Sequence, residues 1–144
     1  MIYPFFSFLT LFTNSEASIK EIIIQKFKNI NNLSFNFEQN INGKIETGNC
    51  ILKYPKKIYC NYNKKNQKIL ISNGKSVVIK TKNSYYLYPI DKTPLNLILD
   101  KQLLLNKIRN IEERIIEDKF INYKFLESEN EVSIFFNIYN YELV

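Results

Sequence analysis

The stretch GNCILKYPKKIYCNY, residues 48–62, predicts two β-strands folded back on each other around Pro55 and Lys56. Side chains alternate between the two faces of a strand, so every second residue lies on the same side. If Cys50 pairs with Cys60, one face of this hairpin is apolar, formed by Cys50, Leu52, Tyr54, Ile58, Cys60 and Tyr62. A sheet with an apolar face must cover that face. The function of the protein therefore depends on which structural element or ligand covers this apolar face.

The opposite face of the same hairpin is mixed. Lys53, Lys57 and Asn61 carry side chains that favour water. Ile51 and Tyr59 lie on the same face, so the two faces differ less clearly in polarity.

Length and composition predict one domain with its own core. The chain has 144 residues, 45% of them hydrophobic and 24% charged, as in ordinary globular proteins. Its net charge of +6 favours acidic lipid headgroups or acidic partners, although AT-rich codon usage explains the lysine excess equally well. Lysine outnumbers arginine 18 to 2, whereas bidentate base and phosphate recognition relies on arginine. The composition therefore argues against nucleic acid as the partner.

The N-terminus predicts a cleaved export signal over residues 1–17. Residues 2–12 are almost wholly apolar but too few to span a bilayer, and Ser15 and Ala17 place small residues before a cut after Ala17. The basic segment that usually precedes such a run is missing, and the alternative is a buried N-terminal strand or helix. Cleavage would leave residues 18–144 as a single domain.

Two cysteines and no histidine restrict the chemistry of any site. In an oxidising compartment, Cys50 and Cys60 face each other across the hairpin and suit a disulfide; the alternative is two small apolar core residues. Without histidine, a zinc site and the usual Ser–His and Cys–His nucleophile pairs are not expected. The carboxylates clustered over residues 112–118 are expected on a solvated face. We therefore expect no metal, no cofactor and no catalysis.

An amphipathic helix is predicted over residues 18–30. Ser18, followed three residues later by Glu21, forms a capping box. Apolar residues then recur at helical spacing along one stripe: Ile19, Ile22, Ile23, Phe27 and Ile30. A helix lying over a sheet would bury this stripe.

Strands and hairpins are predicted from residue 33 to residue 88. Residues 33–39 alternate between apolar and polar, and Asn42-Gly43 and Asn73-Gly74 favour tight turns. Polar turns are expected at residues 64–66 and 82–83. The other strands are predicted at residues 68–72, 77–79 and 85–88.

A leucine-rich segment follows. Thr93-Pro94 is typical of an N-cap with proline at the first helical position, and residues 95–105 predict a short helix or helix pair with apolar side chains on most sides. Residues 108–116 are ambiguous between helix and strand. Residues 123–127 and 131–137 predict a last hairpin.

Together these elements predict an α+β fold that is mainly β, an antiparallel meander of consecutive hairpins with inserted helices. Such a sheet tends to curl, and helices can cover its concave face. A curled sheet with an aromatic concave face and a leucine-rich lid is suited to an apolar ligand. The alternative from a different class is a basic nucleic-acid-binding β domain that stacks single-stranded bases on its aromatic residues.

Several short motifs occur in one order over about residues 19–105. They are Phe35-x-Phe37-x-Gln39, Gly48 followed by Leu52-Lys53-Tyr54-Pro55, Ile58-x-Cys60-x-Tyr62, Ser72-Asn73-Gly74-Lys75, and Pro89-Ile90 before Thr93-Pro94-Leu95 and Leu99. In this order they resemble the LolA family, the periplasmic carriers of outer-membrane lipoproteins.

The resemblance implies a fold, a location and partners. The fold is an incomplete, curled antiparallel β-barrel (a half-barrel) with helices covering its concave face. The protein would be a monomer in the periplasm of a Gram-negative type of cell. It would take acylated lipoproteins from an ATP-driven release complex in the inner membrane and pass them to an outer-membrane acceptor lipoprotein. A lipid- or lipoprotein-sensing module, which binds acyl chains without passing them on, is the alternative within this fold.

The sequence departs from the family pattern at three places. Tyr54 stands where the family usually has an arginine tied to closing the lid, and Cys60 and Val78 stand where tryptophan is common. The family pattern also continues with further strands beyond Val144, so the domain is expected to be short at its C-terminus.

Strand parity and the resemblance together predict the wall of a lipid-binding cavity. The sheet is expected to contribute Phe35, Phe37, Leu52, Tyr54, Ile58, Tyr62 and Ile71. The lid is expected to contribute Leu95, Ile98 and Leu99. For each residue the alternative is ordinary core packing.

Overall fold

The computed structural model describes residues 17–63, 67–93, 95–127 and 129–144. Most of the predicted export signal, the predicted turn at residues 64–66, and residues 94 and 128 lie outside this part. The elements are α1 (Ile19–Lys28), β1 (Asn32–Ile41), β2 (Lys44–Lys53), β3 (Lys57–Tyr62), β4 (Ile69–Asn73), β5 (Ser76–Lys80), β6 (Tyr85–Pro89), a 3₁₀ helix (Ile90–Lys92), α2 (Leu95–Leu99), α3 (Lys101–Arg109), β7 (Arg114–Ile116), β8 (Phe120–Glu127) and β9 (Asn130–Asn137).

The strands form two antiparallel sheets. Strands β1 to β6 make a six-stranded meander in chain order, and β7 to β9 make a three-stranded sheet. The prediction of a mainly β, antiparallel α+β fold is confirmed, but the single meander is wrong because α2 and α3 separate the two sheets. Within the described residues, neither sheet closes into a barrel. None of the described helices is long and apolar enough to cross a membrane.

The hairpin from which the fold was predicted is confirmed in its register. Cys50 lies opposite Cys60, and Leu52 lies opposite Ile58. The turn between β2 and β3 places Lys56 at a φ of 58°. The tight turn at Asn42-Gly43 is also present, with φ angles of 52° and 82° that glycine and asparagine tolerate best.

The first helix begins as the capping box predicts. The backbone N–H of Glu21 donates to the Ser18 hydroxyl oxygen at 3.2 Å. The buried face is Ile23, Ile24 and Phe27. The predicted stripe missed Ile24, and its members Ile19, Ile22 and Ile30 are only half-buried. Packing from two sides explains the difference, since α1 contacts both α3 and the strands of the smaller sheet.

The leucine-rich segment is a helix pair rather than one helix. The Asp100 side chain accepts a hydrogen bond from the Leu103 backbone N–H at 3.2 Å and caps α3, which the sequence reading missed. The Thr93 hydroxyl instead donates to the Ile90 carbonyl at 2.8 Å, at the end of the 3₁₀ helix. The ambiguous segment resolves into the end of α3 and the short strand β7.

Buried apolar residues fall into two groups. The helical cluster joins α1, α2 and α3 to the smaller sheet through Ile23, Ile24, Phe27, Leu97, Leu104, Leu105, Ile108, Ile121, Tyr123, Ile134 and Phe136. The sheet cluster joins the larger sheet to the 3₁₀ helix and α2 through Cys50, Leu52, Ile58, Cys60, Tyr62, Leu70, Val77, Ile90 and Leu99. Leu33 and Tyr54 are half-buried and pack against both clusters.

Candidate functional site

The inner face of the six-stranded sheet is assembled from every second residue of each strand. Pairing across the strands aligns these residues into rows that run perpendicular to the chain. One row is Leu33, Leu52, Ile58, Ser72, Val77 and Tyr88, and the next is Phe35, Cys50, Cys60, Leu70, Ile79 and Tyr86. Almost every position in these rows is apolar or aromatic, so the face requires a cover.

A cavity of about 480 Å³ lies between this face and α2, and we call it the sheet cavity. Six of the ten residues predicted for its wall line it: Phe35, Phe37, Ile58, Tyr62, Leu95 and Ile98. The prediction omitted further apolar wall residues: Ile41, Cys50, Cys60, Leu70, Val77, Ile79, Tyr88, Leu97 and Val132. Polar side chains of the wall are Glu38, Gln39, Lys68, Lys92 and Thr93. The volume falls within the range of small-molecule sites, and the wall is mainly apolar.

Four predicted wall residues lie elsewhere. Leu52 and Leu99 are fully buried in the sheet cluster beside the cavity, and Tyr54 packs at its lid. Ile71 was placed wrongly, because its side chain lies on the outer face and is 40% exposed. Residues 69–71 are all apolar, so their pattern does not show which face is inward; the register with β3 places Leu70 there instead.

A disulfide joins Cys50 to Cys60 in the cavity wall. The two residues lie directly opposite each other on β2 and β3. The bond ties together the neighbouring strands β2 and β3 of the inner face. Of the two sequence interpretations of the cysteines, the structure has the bonded pair.

Glycine at position 48 lets an aromatic pair form part of the cavity wall. Gly48 lies opposite both Phe37 and Tyr62, whose ring centroids are 4.9 Å apart in an edge-on contact. A Cβ at position 48 would come within 2.2 Å of the Asn61 carbonyl oxygen and 2.8 Å of the Phe37 ring. Only glycine therefore permits this close approach.

Near the same end of the sheet is a buried ion pair. Glu46 is 5% exposed and accepts hydrogen bonds from Lys68 at 2.7 Å and Gln39 at 3.0 Å. The Lys68 ammonium also lies 4.4 Å from the centre of the Tyr62 ring. Burial, and then the Glu46 carboxylate, raise the pKa of Tyr62 above its ordinary value. Sequence reasoning missed this group, although Glu46 has the same strand parity as inward-facing Gly48 and Cys50.

The lid is fastened to the sheet through Tyr54. Its hydroxyl donates to the Ile98 carbonyl of α2 at 3.0 Å, and its ring contacts Phe27 edge-on at 6.2 Å. The Lys101 ammonium lies 4.7 Å from the centre of the same ring. Burial, and then the Asp100 carboxylate, raise the pKa of Tyr54, so the phenol keeps its proton and can donate.

A second cavity, of about 690 Å³, lies between β1 and β9. It shares Phe35, Phe37, Glu38, Ile98 and Val132 with the sheet cavity, so the two spaces adjoin beside β1. Its far side is formed by residues 131–135 of β9, together with Leu143 and Val144.

Comparison with protein-family models identifies a match. The family model for the outer membrane lipoprotein carrier protein LolA matches residues 28–137, more than half of the chain, including β1 to β9 and all the residues that were predicted to line the cavity. A search of curated proteins found no match. The matched family consists of periplasmic carriers rather than enzymes. With its antiparallel sheets and a lid helix over an apolar cavity, this chain belongs to the LolA family.

Proposed function

We propose that the protein is a periplasmic carrier that holds the acyl chains of lipoproteins in the sheet cavity. The observation that carries this proposal is an apolar cavity of about 480 Å³ beneath a short lid helix, in a chain of the LolA family. The proposed acyl-binding wall consists of the sheet and lid residues that line the sheet cavity. Leu52 and Leu99 pack beside this wall, and Tyr54 packs at the lid.

The chemistry of the cavity suits a hydrocarbon chain. Each CH₂ group taken out of water contributes roughly 0.8 kcal/mol, so ten of them contribute about 8 kcal/mol before the entropy costs of binding. A hydrocarbon needs no hydrogen-bond partner. The rows of inward-facing residues on the six-stranded sheet provide few polar groups. Binding strength would therefore follow chain length more than headgroup chemistry.

The proposal extends to the shape of the sheet, the oligomeric state and the lid. The six-stranded sheet would curl as a half-barrel around the acyl chain, with residues 18–144 acting as one carrier domain and as a monomer. The bond from Tyr54 to Ile98 would hold the lid closed and break when the cargo leaves. In this chain the Tyr54 phenol would therefore hold the lid closed, a role that the family pattern assigns to an arginine.

The route is also a proposal. Residues 1–17 would direct export, and the disulfide between Cys50 and Cys60 suits an oxidising compartment such as the periplasm. The inner-membrane ATP-driven release complex would load the carrier, and an outer-membrane acceptor lipoprotein would unload it. No catalytic step is involved.

Native mass spectrometry of protein purified from the periplasm tests the proposal. We expect a bound acylated species in the natural protein and its loss in Ile79→Trp, because Ile79 is half-buried and lines the cavity. Val78→Trp is the matched control, since Val78 is the next residue on β5 and lies on the outer face. Recovery of the natural protein consistently empty, with no affinity for a synthetic triacylated lipopeptide, would contradict the proposal.

A transfer experiment separates a carrier from a sensor. The loaded protein is mixed with vesicles bearing an outer-membrane acceptor, and the acylated cargo is followed by its radiolabel. A carrier passes the label to the vesicles, whereas a sensing module retains it.

A further inference from the structure

A row of apolar side chains crosses the outer face of the six-stranded sheet, on the side away from the cavity. We call it the outer row: Ile51, Tyr59, Ile71, Val78 and Leu87. Each member lies directly opposite the next across β2, β3, β4, β5 and β6. Neighbouring strands are about 4.8 Å apart, so the row extends across roughly 19 Å of sheet.

Four of the five members of the outer row are exposed to solvent, and Val78 is half-buried. Ile51 is 60% exposed, Tyr59 43%, Ile71 40% and Leu87 61%. Single exposed apolar side chains need no explanation, but a continuous series on one face marks an interaction surface.

Positive charge lies on both sides of this row. Lys53 and Lys57 pair with each other along one side, and Lys80 pairs with Tyr85 along the other. The outward-facing residues of β2 to β6 include no aspartate or glutamate, because the one carboxylate of these strands, Glu46, is buried on the inner face. This surface is therefore apolar at its centre and cationic at its margins.

We propose that the outer row and its lysines bind the surface of an anionic lipid bilayer. Apolar side chains that enter the headgroup region, flanked by lysines that meet anionic headgroups, are the two contributions that hold peripheral proteins on membranes. The amphipathic ring of Tyr59 suits the boundary between headgroups and acyl chains. The surface is on the opposite side of the sheet from the cavity, so the proposal does not depend on what the cavity holds.

The observations favour lipid over other occupants. A second copy docked on the same face would bring lysines against lysines. Single-stranded nucleic acid binds platforms of aromatic rings, whereas four of the five members of the outer row are aliphatic. The charges at the margin of this surface, Lys53, Lys57 and Lys80, match an anionic surface, which a bilayer rich in phosphatidylglycerol provides.

Co-sedimentation of the full chain with vesicles tests this assignment. We expect binding to phosphatidylglycerol–phosphatidylethanolamine vesicles that weakens as salt is added, and little binding to phosphatidylcholine vesicles. Replacing Lys53, Lys57 and Lys80 by glutamine should weaken binding by about fivefold per lysine, because each is expected to contribute the equivalent of about 1 kcal/mol. The matched control replaces Lys28, Arg114 and Lys119, which removes the same charge elsewhere and should leave most of the binding.

The apolar contribution is tested by Ile51→Thr, Ile71→Thr and Leu87→Thr together, since threonine keeps strand propensity. We expect a loss of more than tenfold, with circular dichroism and thermal unfolding confirming that the variant folds. Should it fail to fold, a single introduced tryptophan gives an independent answer, because the chain contains none. Tyr59→Trp should shift its emission to the blue on anionic vesicles and be quenched by brominated lipid, whereas Tyr139→Trp should not.

Four results would overturn the proposal: no binding to anionic vesicles, equal loss in the lysine variant and its control, unchanged binding in the threonine variant, or an unshifted Tyr59→Trp emission. Competition adds a further check. If polyglutamate or single-stranded DNA binds the outer row more tightly than the vesicles do, the occupant is an acidic protein or a nucleic acid, and the lipid assignment is wrong.

Discussion

The helical cluster and the sheet cluster are both apolar and both covered by helices, yet the side chains that face the sheet cavity are less completely buried than those of the helical cluster. In the helical cluster, Ile23, Ile24, Leu105, Ile108 and Ile121 are fully buried. At the sheet cavity the apolar residues Phe35, Phe37, Ile79, Leu95 and Ile98 are only half-buried. Both clusters consist mainly of aliphatic and aromatic residues. The difference in side-chain burial therefore arises from the geometry of the helices that cover them.

The length of the covering helix explains the difference. Helices α1 and α3 have 10 and 9 residues and face a sheet of three strands. Helix α2 has 5 residues, so it is roughly 7.5 Å long. It covers a sheet whose six strands extend across roughly 24 Å. A short lid over a wide apolar face leaves space that its own side chains do not fill.

The largest expected effect comes from exchanging one phenylalanine in each cluster for alanine. Phe27 is 2% exposed and contacts Tyr54 and Phe136 edge-on, so Phe27→Ala should lower the free energy of unfolding by about 3–5 kcal/mol. Phe35 is half-buried beside existing space, so Phe35→Ala should cost about 1 kcal/mol. Urea unfolding measures both; equal losses would mean that the two clusters are packed alike.

Replacing Gly48 tests how tightly the cavity wall is built. Gly48→Ala should lower the free energy of unfolding by about 1–3 kcal/mol, because the new Cβ meets a backbone oxygen and the Phe37 ring. The displaced ring should also weaken lipopeptide binding. Asn49→Ala, at the next and outward-facing position, is the control and should change stability by less than about 0.5 kcal/mol. A Gly48→Ala protein as stable as the natural one would refute the close approach.

Removing the Tyr54 hydroxyl tests the attachment of the lid. Tyr54→Phe keeps the ring but loses the hydrogen bond to the Ile98 carbonyl, so we expect a loss of about 0.5–1.5 kcal/mol. Amide exchange in α2 should accelerate while exchange in α3 stays unchanged. Tyr59→Phe, on the exposed outer face, is the control. Uniform acceleration across both helices would show that Tyr54 supports the whole fold rather than the lid.

The smallest effect concerns pH and involves tyrosines of both clusters. The pKa values of Tyr54, Tyr62 and Tyr123 are raised above 10.0, chiefly because burial disfavours the phenolate. The unfolded chain releases these protons near pH 10, whereas the folded chain keeps them to higher pH. Their contribution to stability is therefore fully present below about pH 10 and is lost as pH rises through the folded pKa values.

Absorbance titration checks this expectation. The phenols of Tyr62 and Tyr123 should ionise above pH 10, because burial raises the pKa of each. Tyr62→Phe and Tyr123→Phe should each remove part of this late-titrating signal. A titration in which all tyrosines ionise together near pH 10 would contradict the burial of either cluster.

The sequence predicts local pairing well and the relation between distant elements poorly. The hairpin over residues 48–62 follows from alternation and a turn, both of which are local, so its register was predictable. Ile71 was assigned to the wrong face because residues 69–71 are all apolar and do not alternate with polar residues, so their pattern does not show which of them points inward. The division into two sheets and the attachment of Tyr54 to α2 depend on contacts between distant segments, which no local pattern encodes. The Asp100 cap is local, since its partner Leu103 is three residues away, and the sequence reading missed it.

Photo-crosslinking from inside the sheet cavity tests the central claim most directly. Benzoylphenylalanine replaces Phe35, which lines the cavity, or Tyr59, which lies on the outer face. Each protein is irradiated with a triacylated lipopeptide in the absence of membranes. We predict a covalent adduct on an acyl chain from position 35 and none from position 59. Equal labelling from both positions, or labelling from position 59 alone, would contradict the assignment of the cavity as the acyl-binding site.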